Sequence, residues 1–241
     1  MRRFFAITIC VFGFGPANSL LAQFVEQKPT IEVGVLVAAT NYSGDLADDH
    51  IIIAQTQFGA GAFARLHLSK LLQVRGQFFA GSIGGDDKRF PTLASRQFRF
   101  ETKLLEGAAL LEATIASFEY EPVSTDVTFY FHPYVFGGVG FTSADAKVTY
   151  YGPESDRSRI VVEPLPEGGT TKQTFVSTPI GFGLRMVAGR VSLGLEVCSR
   201  PVFDDLLDGV SKNGNPNKGD WYHSLNLMAS YSLSEMARPM K

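Results

Sequence analysis

The feature that most constrains the fold of this chain is the alternation of apolar and polar residues along eight segments. The last segment is the clearest, because its odd positions from Trp221 to Leu233 are mostly apolar and its even positions are mostly small and polar. A period of two residues is typical of β-strands that separate two environments. The eight predicted strands span residues 31–39, 57–68, 71–83, 99–115, 127–141, 175–187, 190–200 and 221–233.

The length of the last strand favours a membrane barrel over a soluble β-sandwich. Trp221 and Tyr231 lie ten residues apart on its apolar face. At ~3.3 Å per residue this distance is about 33 Å, or about 23–27 Å of height at a tilt of 35–45°. The apolar band between the two aromatic girdles of an outer-membrane barrel is ~25 Å tall.

The connections between the predicted strands alternate in length. Residues 69–70, 119–126 and 188–189 form short links, whereas residues 41–56, 84–98, 142–174 and 201–220 form long ones. In outer-membrane barrels the short turns face the periplasm and the long loops face outward. The pattern therefore predicts an eight-strand, antiparallel up-and-down barrel of the OmpA/OmpX type, with periplasmic termini and four long extracellular loops.

The first 22 residues resemble a secretory leader. Arg2 and Arg3 precede an apolar run from Phe4 to Phe14, and small residues lead to Ala22. This order is typical of a Sec signal peptide. We expect cleavage after Ala22, which leaves residues 23–241 as the barrel.

The composition narrows the function classes. The net charge of −2 would become about −4 after loss of the leader, which is too weak and too scattered to indicate nucleic-acid binding. No later segment has the ~18 consecutive apolar residues of a membrane helix. Cys198 is the only cysteine after the leader, so we predict a structural role for it and no intrachain disulfide.

Charged residues fall on the predicted inner face of the strands. Small barrels fill their interior with side chains. We therefore predict a structural network in the lumen, with a transport path or a catalytic set as alternatives. The charged residues assigned to the inner face are Glu32, Arg65, Arg75, Glu101, Glu106, Glu112, Arg185 and Glu196.

Two acidic clusters lie in the predicted loops. One contains Asp45, Asp48, Asp49 and His50, and the other contains Asp204, Asp205 and Asp208. Carboxylates at such spacing can bind Ca²⁺, but neither cluster has the spacing of an EF-hand. We predict solvated loops, with calcium binding as the alternative.

Histidines raise the alternative of a lipid- or lipopolysaccharide-modifying barrel enzyme. His132 and His223-Ser224 are the candidates. Adjacent strand residues point to opposite faces, so His223 and Ser224 cannot act together. We therefore predict a non-enzymatic protein, and we assign no catalytic, cofactor-binding or metal residue.

The third long connection leaves the strand count open. Residues 147–151 and 159–162 are short β-like runs on either side of Gly152-Pro153. They either extend neighbouring strands or add a hairpin. Ten strands are therefore an alternative to eight.

Several segments together resemble one family of outer-membrane barrels. They are residues 41–46, 133–140, 179–183, 196–211 and 219–222. The order and spacing of these segments resemble those of the PorG-like family, which occurs in bacteria with type IX secretion. It departs from the family pattern at Leu206, where an aromatic residue is expected, and in its continuation from Ser234 to Lys241.

The resemblance implies a function and partners. It implies a structural or interaction component of the outer membrane, associated with type IX protein secretion. Its implied partners are the periplasmic ring lipoprotein and the companion subunit of that lipoprotein. From the barrel itself we also expect contact with outer-membrane lipids. A small pore is a further alternative.

Overall fold

The protein consists almost entirely of long antiparallel strands. The computed structural model describes residues 30–43, 55–89, 94–123, 127–167, 169–203, 206–213 and 219–233. The strands are β1 (Thr30–Ser43), β2 (Gln57–His67), β3 (Leu72–Asp86), β4 (Phe98–Thr114), β5 (Phe118–Tyr120), β6 (Phe129–Tyr150), β7 (Lys172–Ser177), β8 (Ile180–Ala188), β9 (Val191–Pro201) and β10 (Trp221–Ser232). A 3₁₀ turn (Asp87–Arg89) follows β3, and a short helix α1 (Glu154–Ile160) follows β6.

The strands close into a barrel. Each pairs with its neighbours, β10 returns to pair with β1, and β4 pairs directly with β6. The short β5 continues the line of β4 along β6, because Thr114 lies opposite Tyr134 and Phe118 lies opposite Phe131. Likewise β7 and β8 share the other edge of β6. The ten strands therefore occupy eight positions, and the predicted eight-strand up-and-down barrel is confirmed.

The third long connection is shorter than predicted. β6 continues to Tyr150 and β7 begins at Lys172, so the connection spans residues 151–171. The first β-like run extends β6, as one reading allowed. The β-like reading of residues 159–162 is wrong, because residues up to Ile160 belong to α1. Acidic side chains in the first turn of α1 and basic ones in the last turn suit the helix dipole.

The remaining connections keep the predicted alternation. Residues 68–71, 121–128 and 189–190 link strands at one end, here called the short-turn end. Residues 44–56, 87–97, 151–171 and 202–220 link strands at the opposite end, here called the long-loop end. β1 begins and β10 ends at the short-turn end.

The outer surface is apolar. Outward side chains such as Val35, Phe58, Phe141, Phe182 and Leu227 are each at least half exposed. Along β4 and the residue that follows it, this band runs from Leu105 to Ile115, again ten residues. In the described part of the chain, no helix is both long and apolar enough to cross a membrane.

The predicted inner face is confirmed for seven of the eight assigned charges, and it is wrong at the start of β4, where Arg99 and Lys103 lie in the same outward row as Glu101. Glu32, Arg65, Glu112 and the other assigned charges are buried in the lumen, but Glu101 is exposed on the outside. Glu101 shares the outward parity of Leu105, four residues away. The prediction failed there because β4 extends beyond the apolar band, where outward residues become polar.

Candidate functional site

A chain of alternating charges crosses the lumen near the short-turn end. Arg65 donates from Nη1 to Glu32 at 2.7 Å and from Nε to Glu112 at 2.7 Å. Arg75 continues the chain, with Nε 3.0 Å from Glu112 and Nη2 2.8 Å from Glu196. These five side chains come from β1, β2, β3, β4 and β9. The network therefore ties together strands that do not all neighbour one another.

Hydroxyl and amide groups donate further hydrogen bonds to the carboxylates of this chain. Tyr134 donates its hydroxyl to Glu196 at 2.8 Å, and Asn226 donates its side-chain N–H to the other oxygen at 2.9 Å. Ser230 bonds to Glu32, and His67 lies 2.9 Å from the same carboxylate. A buried charge is costly unless it is both paired and hydrogen-bonded. The three glutamates of this chain, Glu32, Glu112 and Glu196, meet both requirements.

Arg185 is held less tightly than the other lumen arginines. Its Nη1 lies 3.9 Å from Glu32 and 4.0 Å from Glu112. It borders a cavity of about 10 Å³ that Ser192 and Ser230 also line. Such a volume is close to the minimum needed for one water molecule.

A second ionic group lies farther toward the long-loop end. Arg200 donates from Nε to Glu106 at 3.0 Å and from Nη1 to Ser224 at 2.7 Å. Tyr222 donates its hydroxyl to Glu106 at 2.5 Å. The strands thus contribute equal numbers of buried glutamates and arginines to the described lumen: Glu32, Glu106, Glu112 and Glu196 against Arg65, Arg75, Arg185 and Arg200.

The long-loop end of the lumen is filled by an apolar core. Residues 206–211 of the fourth long loop, here called the plug, enter this core. Leu207 and Val210 are both 0% exposed and pack with Tyr42, Phe100 and Tyr222. Thr102 on β4 donates its hydroxyl to the Leu207 carbonyl at 2.9 Å. The plug therefore closes the barrel at the end opposite the ionic chain.

Buried carboxylates fix the plug to the barrel wall. Tyr42 on β1 lies with its hydroxyl 2.7 Å from Asp208 and 2.5 Å from Asp220. Asp220 also accepts the Leu207 backbone N–H at 2.9 Å, and Asp208 accepts that of Val210 at 2.8 Å. The prediction of a solvated loop is wrong for Asp208, because Tyr42 gives its carboxylate a buried partner.

The third long loop supports the plug from outside. Glu167 accepts the backbone N–H groups of Ser211, Lys212 and Asn213 at 2.7–3.1 Å. Its own N–H donates to the carbonyl of Gly209, which has a φ of +78° that glycine tolerates without strain. Sequence reasoning missed Glu167, because no periodicity marks a loop carboxylate that caps another loop.

The candidate catalytic residues do not meet. His132 points inward and stacks on Tyr130, whereas His223 points outward. Ser224 points inward to Arg200, which confirms that His223 and Ser224 face opposite sides. The structure instead places His223 Nδ1 2.9 Å from Ser199 Oγ, a cross-strand pair that sequence reasoning missed. In the described part of the chain, His223 forms no ion pair with a carboxylate.

Of the remaining sequence candidates, Cys198 lies within the described residues and the others do not. Cys198 is buried against Leu110, Tyr134 and Phe136 in the wall of the lumen, as expected of a structural cysteine. The leader, the cluster from Asp45 to His50, and the pair Asp204 and Asp205 lie outside the described residues.

These features define a class: a closed β-barrel that is apolar outside, ionic inside and filled by its own side chains. The chain belongs to the family described as a domain of unknown function, DUF6089, whose model matches residues 17–237. A comparison with curated proteins finds no match.

Several solved structures of bacterial barrels are similar to this chain at low sequence identity. The attachment invasion locus protein Ail of Yersinia pestis is 12% identical with a TM-score of 0.40, over 85% of this chain and 97% of that chain. Neisserial surface protein A is 11% identical with a TM-score of 0.42, over 85% and 99%. The N-terminal barrel domain of Pseudomonas aeruginosa OprF is 11% identical with a TM-score of 0.37, over 85% and 100%.

Proposed function

We propose that this protein is a non-enzymatic outer-membrane β-barrel that acts as a structural or interaction component. The observation that carries the proposal is the reversal of polarity. Apolar side chains lie outside, and four glutamates and four arginines are buried inside. In water this arrangement would expose the apolar band, whereas in a bilayer the band faces lipid. The filled lumen argues against the pore alternative.

We further propose that the long loops face the outside and the short turns face the periplasm. The support is the loop asymmetry together with the position of both described ends of the barrel at the short-turn end. The leader-like residues 1–22 agree with export. A PorG-like role in type IX secretion is the finer proposal, supported by the shared motif at residues 196–211, which includes the plug.

A hairpin at the short-turn end is the surface that best suits a periplasmic partner. β5 and the start of β6 extend past the apolar band, and all three residues of β5 are exposed. Phe118, Tyr120 and Val123 present apolar surface there. Exposed apolar side chains on a projecting element favour contact with another protein.

The first experiment tests the barrel itself. The full chain, extracted in mild detergent, should migrate differently on a gel before and after boiling. Identical migration, together with recovery in the soluble periplasmic fraction, would contradict the membrane proposal.

The second experiment tests the secretion partners. Val123→Asp in the hairpin should abolish co-purification of type IX ring subunits, whereas the matched variant Leu71→Asp in the neighbouring short turn should retain it. Leu71 is likewise an exposed apolar turn residue. Absence of ring subunits from the wild-type preparation would reject the secretion role and leave the barrel intact.

The Ser199–His223 pair favours one test of the enzymatic alternative. We expect Ser199→Ala and His223→Ala strains to keep the wild-type lipid A profile. Loss of a lipid A modification in both strains, with normal barrel levels, would support the enzyme instead.

A further inference from the structure

The outward face of β4 changes character where the strand leaves the apolar band. Leu105 is the last apolar residue, and Lys103, Glu101 and Arg99 follow on the same face. Arg99 lies six residues above Leu105, which is about 20 Å along the strand and about 14–16 Å in height. These side chains therefore lie at the depth of lipid headgroups in the proposed orientation.

Neighbouring strands continue the same charged surface. In the strand register, Glu101 lies opposite Lys147 and Lys103 lies opposite Asp145, which in turn lies opposite Lys172 on β7. Among the described side chains, cations outnumber anions on this face. The cations are Lys88, Arg99, Lys103, Lys147 and Lys172, and the anions are Asp86, Glu101 and Asp145.

A groove of about 360 Å³ lies within this surface. Its polar lining comes from Lys88, Arg99, Lys147, Thr149, Tyr151 and the carboxylates Asp86 and Glu101. The Lys88 ammonium lies 4.5 Å from the centre of the Tyr151 ring, and the Tyr151 hydroxyl donates to Asp86 at 3.4 Å. Burial and the Asp86 carboxylate raise the pKa of Tyr151 to about 12, so the hydroxyl stays protonated at neutral pH.

The groove combines two kinds of recognition chemistry. Arg99, Lys88 and Lys147 offer charge-assisted hydrogen bonds, which favour phosphate oxygens. Asp86, Glu101 and Tyr151 can accept or donate hydrogen bonds to hydroxyl groups, and an aromatic ring can pack against the face of a sugar. One ligand that carries both phosphate and hydroxyl groups would use the whole lining.

We propose that this groove binds the phosphorylated saccharide headgroup of a lipid in the outer leaflet. The inference rests on the proposed membrane orientation, because only that orientation places the groove at headgroup height. The headgroup would hold this side of the barrel against the leaflet through its phosphates, while the apolar band contacts the acyl chains.

Binding to the full-length barrel in nanodiscs tests the proposal. The probes are lipid A with two phosphates, the same lipid after enzymatic dephosphorylation, and glucosamine 6-phosphate free in solution. We expect lipid A to bind, dephosphorylation to weaken binding at least about tenfold, and the free sugar phosphate to bind more weakly but to compete. Direct binding of the free sugar phosphate without any binding of lipid A would show that the groove takes a soluble ligand, which would overturn the lipid assignment.

Matched charge removals locate the site. Arg99→Ala/Lys147→Ala should weaken lipid A binding at least about tenfold. Arg157→Ala/Arg159→Ala removes the same number of exposed cations from α1 and should leave binding unchanged. Lys147→Arg should retain binding, since it keeps the charge.

The outcomes separate this inference from the barrel proposal. Equal binding of phosphorylated and dephosphorylated lipid, or equal loss in both double variants, would overturn the groove while the heat-shifted gel band persists. An acidic peptide that displaces lipid A, with no effect of dephosphorylation, would also overturn it. Loss of the heat-shifted band in the wild-type protein would instead reject the barrel and the groove together.

Discussion

The two halves of the lumen are closed by different physical means. Near the short-turn end, glutamates and arginines alternate in a buried chain through Arg65 and Arg75. At the long-loop end, the plug inserts Leu207 and Val210 into an apolar core. Ion pairs need matched partners at fixed positions, whereas apolar packing needs side chains of suitable volume and shape. The comparison shows that the strands of a fixed barrel wall can hold a buried ionic network, and that a loop can supply an apolar plug.

The largest effect is expected from Arg75→Met. The change leaves Glu112 without one of its two close arginines and leaves Glu196 without its arginine partner. Removal of one member of a buried pair costs about 3–5 kcal/mol. The free energy of unfolding, measured from the folded gel band in increasing urea, should fall by that amount. A fall in unfolding free energy below about 1 kcal/mol, which is typical of an exposed ion pair, would contradict the proposed role of the ionic chain.

Leu207→Ala should have the next largest effect. Leu207 is fully buried in the apolar half, and truncation of such a side chain costs about 2–5 kcal/mol through lost burial and the remaining cavity. The same urea series measures it. Limited proteolysis should also cleave the fourth long loop faster, with the barrel strands still protected. Unchanged stability and cleavage would show that the plug does not contribute to closure.

Tyr42→Phe tests the bond between the plug and the wall. It removes the hydroxyl that bonds to Asp208 and Asp220 and leaves the ring packed against Phe100. Loss of a partner for buried carboxylates costs about 1–3 kcal/mol. Thr102→Val is the companion variant, since it removes only one bond to the plug backbone. A larger loss from Thr102→Val than from Tyr42→Phe would be inconsistent with the carboxylates fixing the plug.

The smallest effect is expected from Arg185→Met. Its guanidinium stays 3.9–4.0 Å from Glu32 and Glu112, and both carboxylates keep Arg65. We expect a change in unfolding free energy within about 1 kcal/mol, because the desolvation of Arg185 offsets a weak attraction. A loss equal to that of Arg75→Met would show that the charges act as one inseparable set.

The sequence predicted the barrel wall well. Alternation located all eight strand positions, and the aromatic spacing on β10 predicted a membrane. The face of Glu101 was mistaken because alternation was read as apolar against charged along all of β4. Above the apolar band, the outward face of β4 meets polar surroundings and the inward face meets the plug. Polar residues therefore no longer mark the inner face there.

The closure of the long-loop end could not be read from the sequence. Tyr42 and Asp208 lie 166 residues apart, and Glu167 caps backbone groups that lie more than 40 residues later. Such contacts depend on how two loops meet over the barrel, which local periodicity does not encode. The acidic motif that includes Asp208 was therefore recognised as a family feature, but its burial was not foreseen.

Conductance of the folded, purified barrel in a planar bilayer tests the central claim most directly. The claim is that the chain's own side chains fill a membrane barrel at both halves of its lumen. The account predicts a silent bilayer for protein whose heat-shifted gel band proves that it is folded. Stable, reproducible conductance steps from that same protein would contradict it.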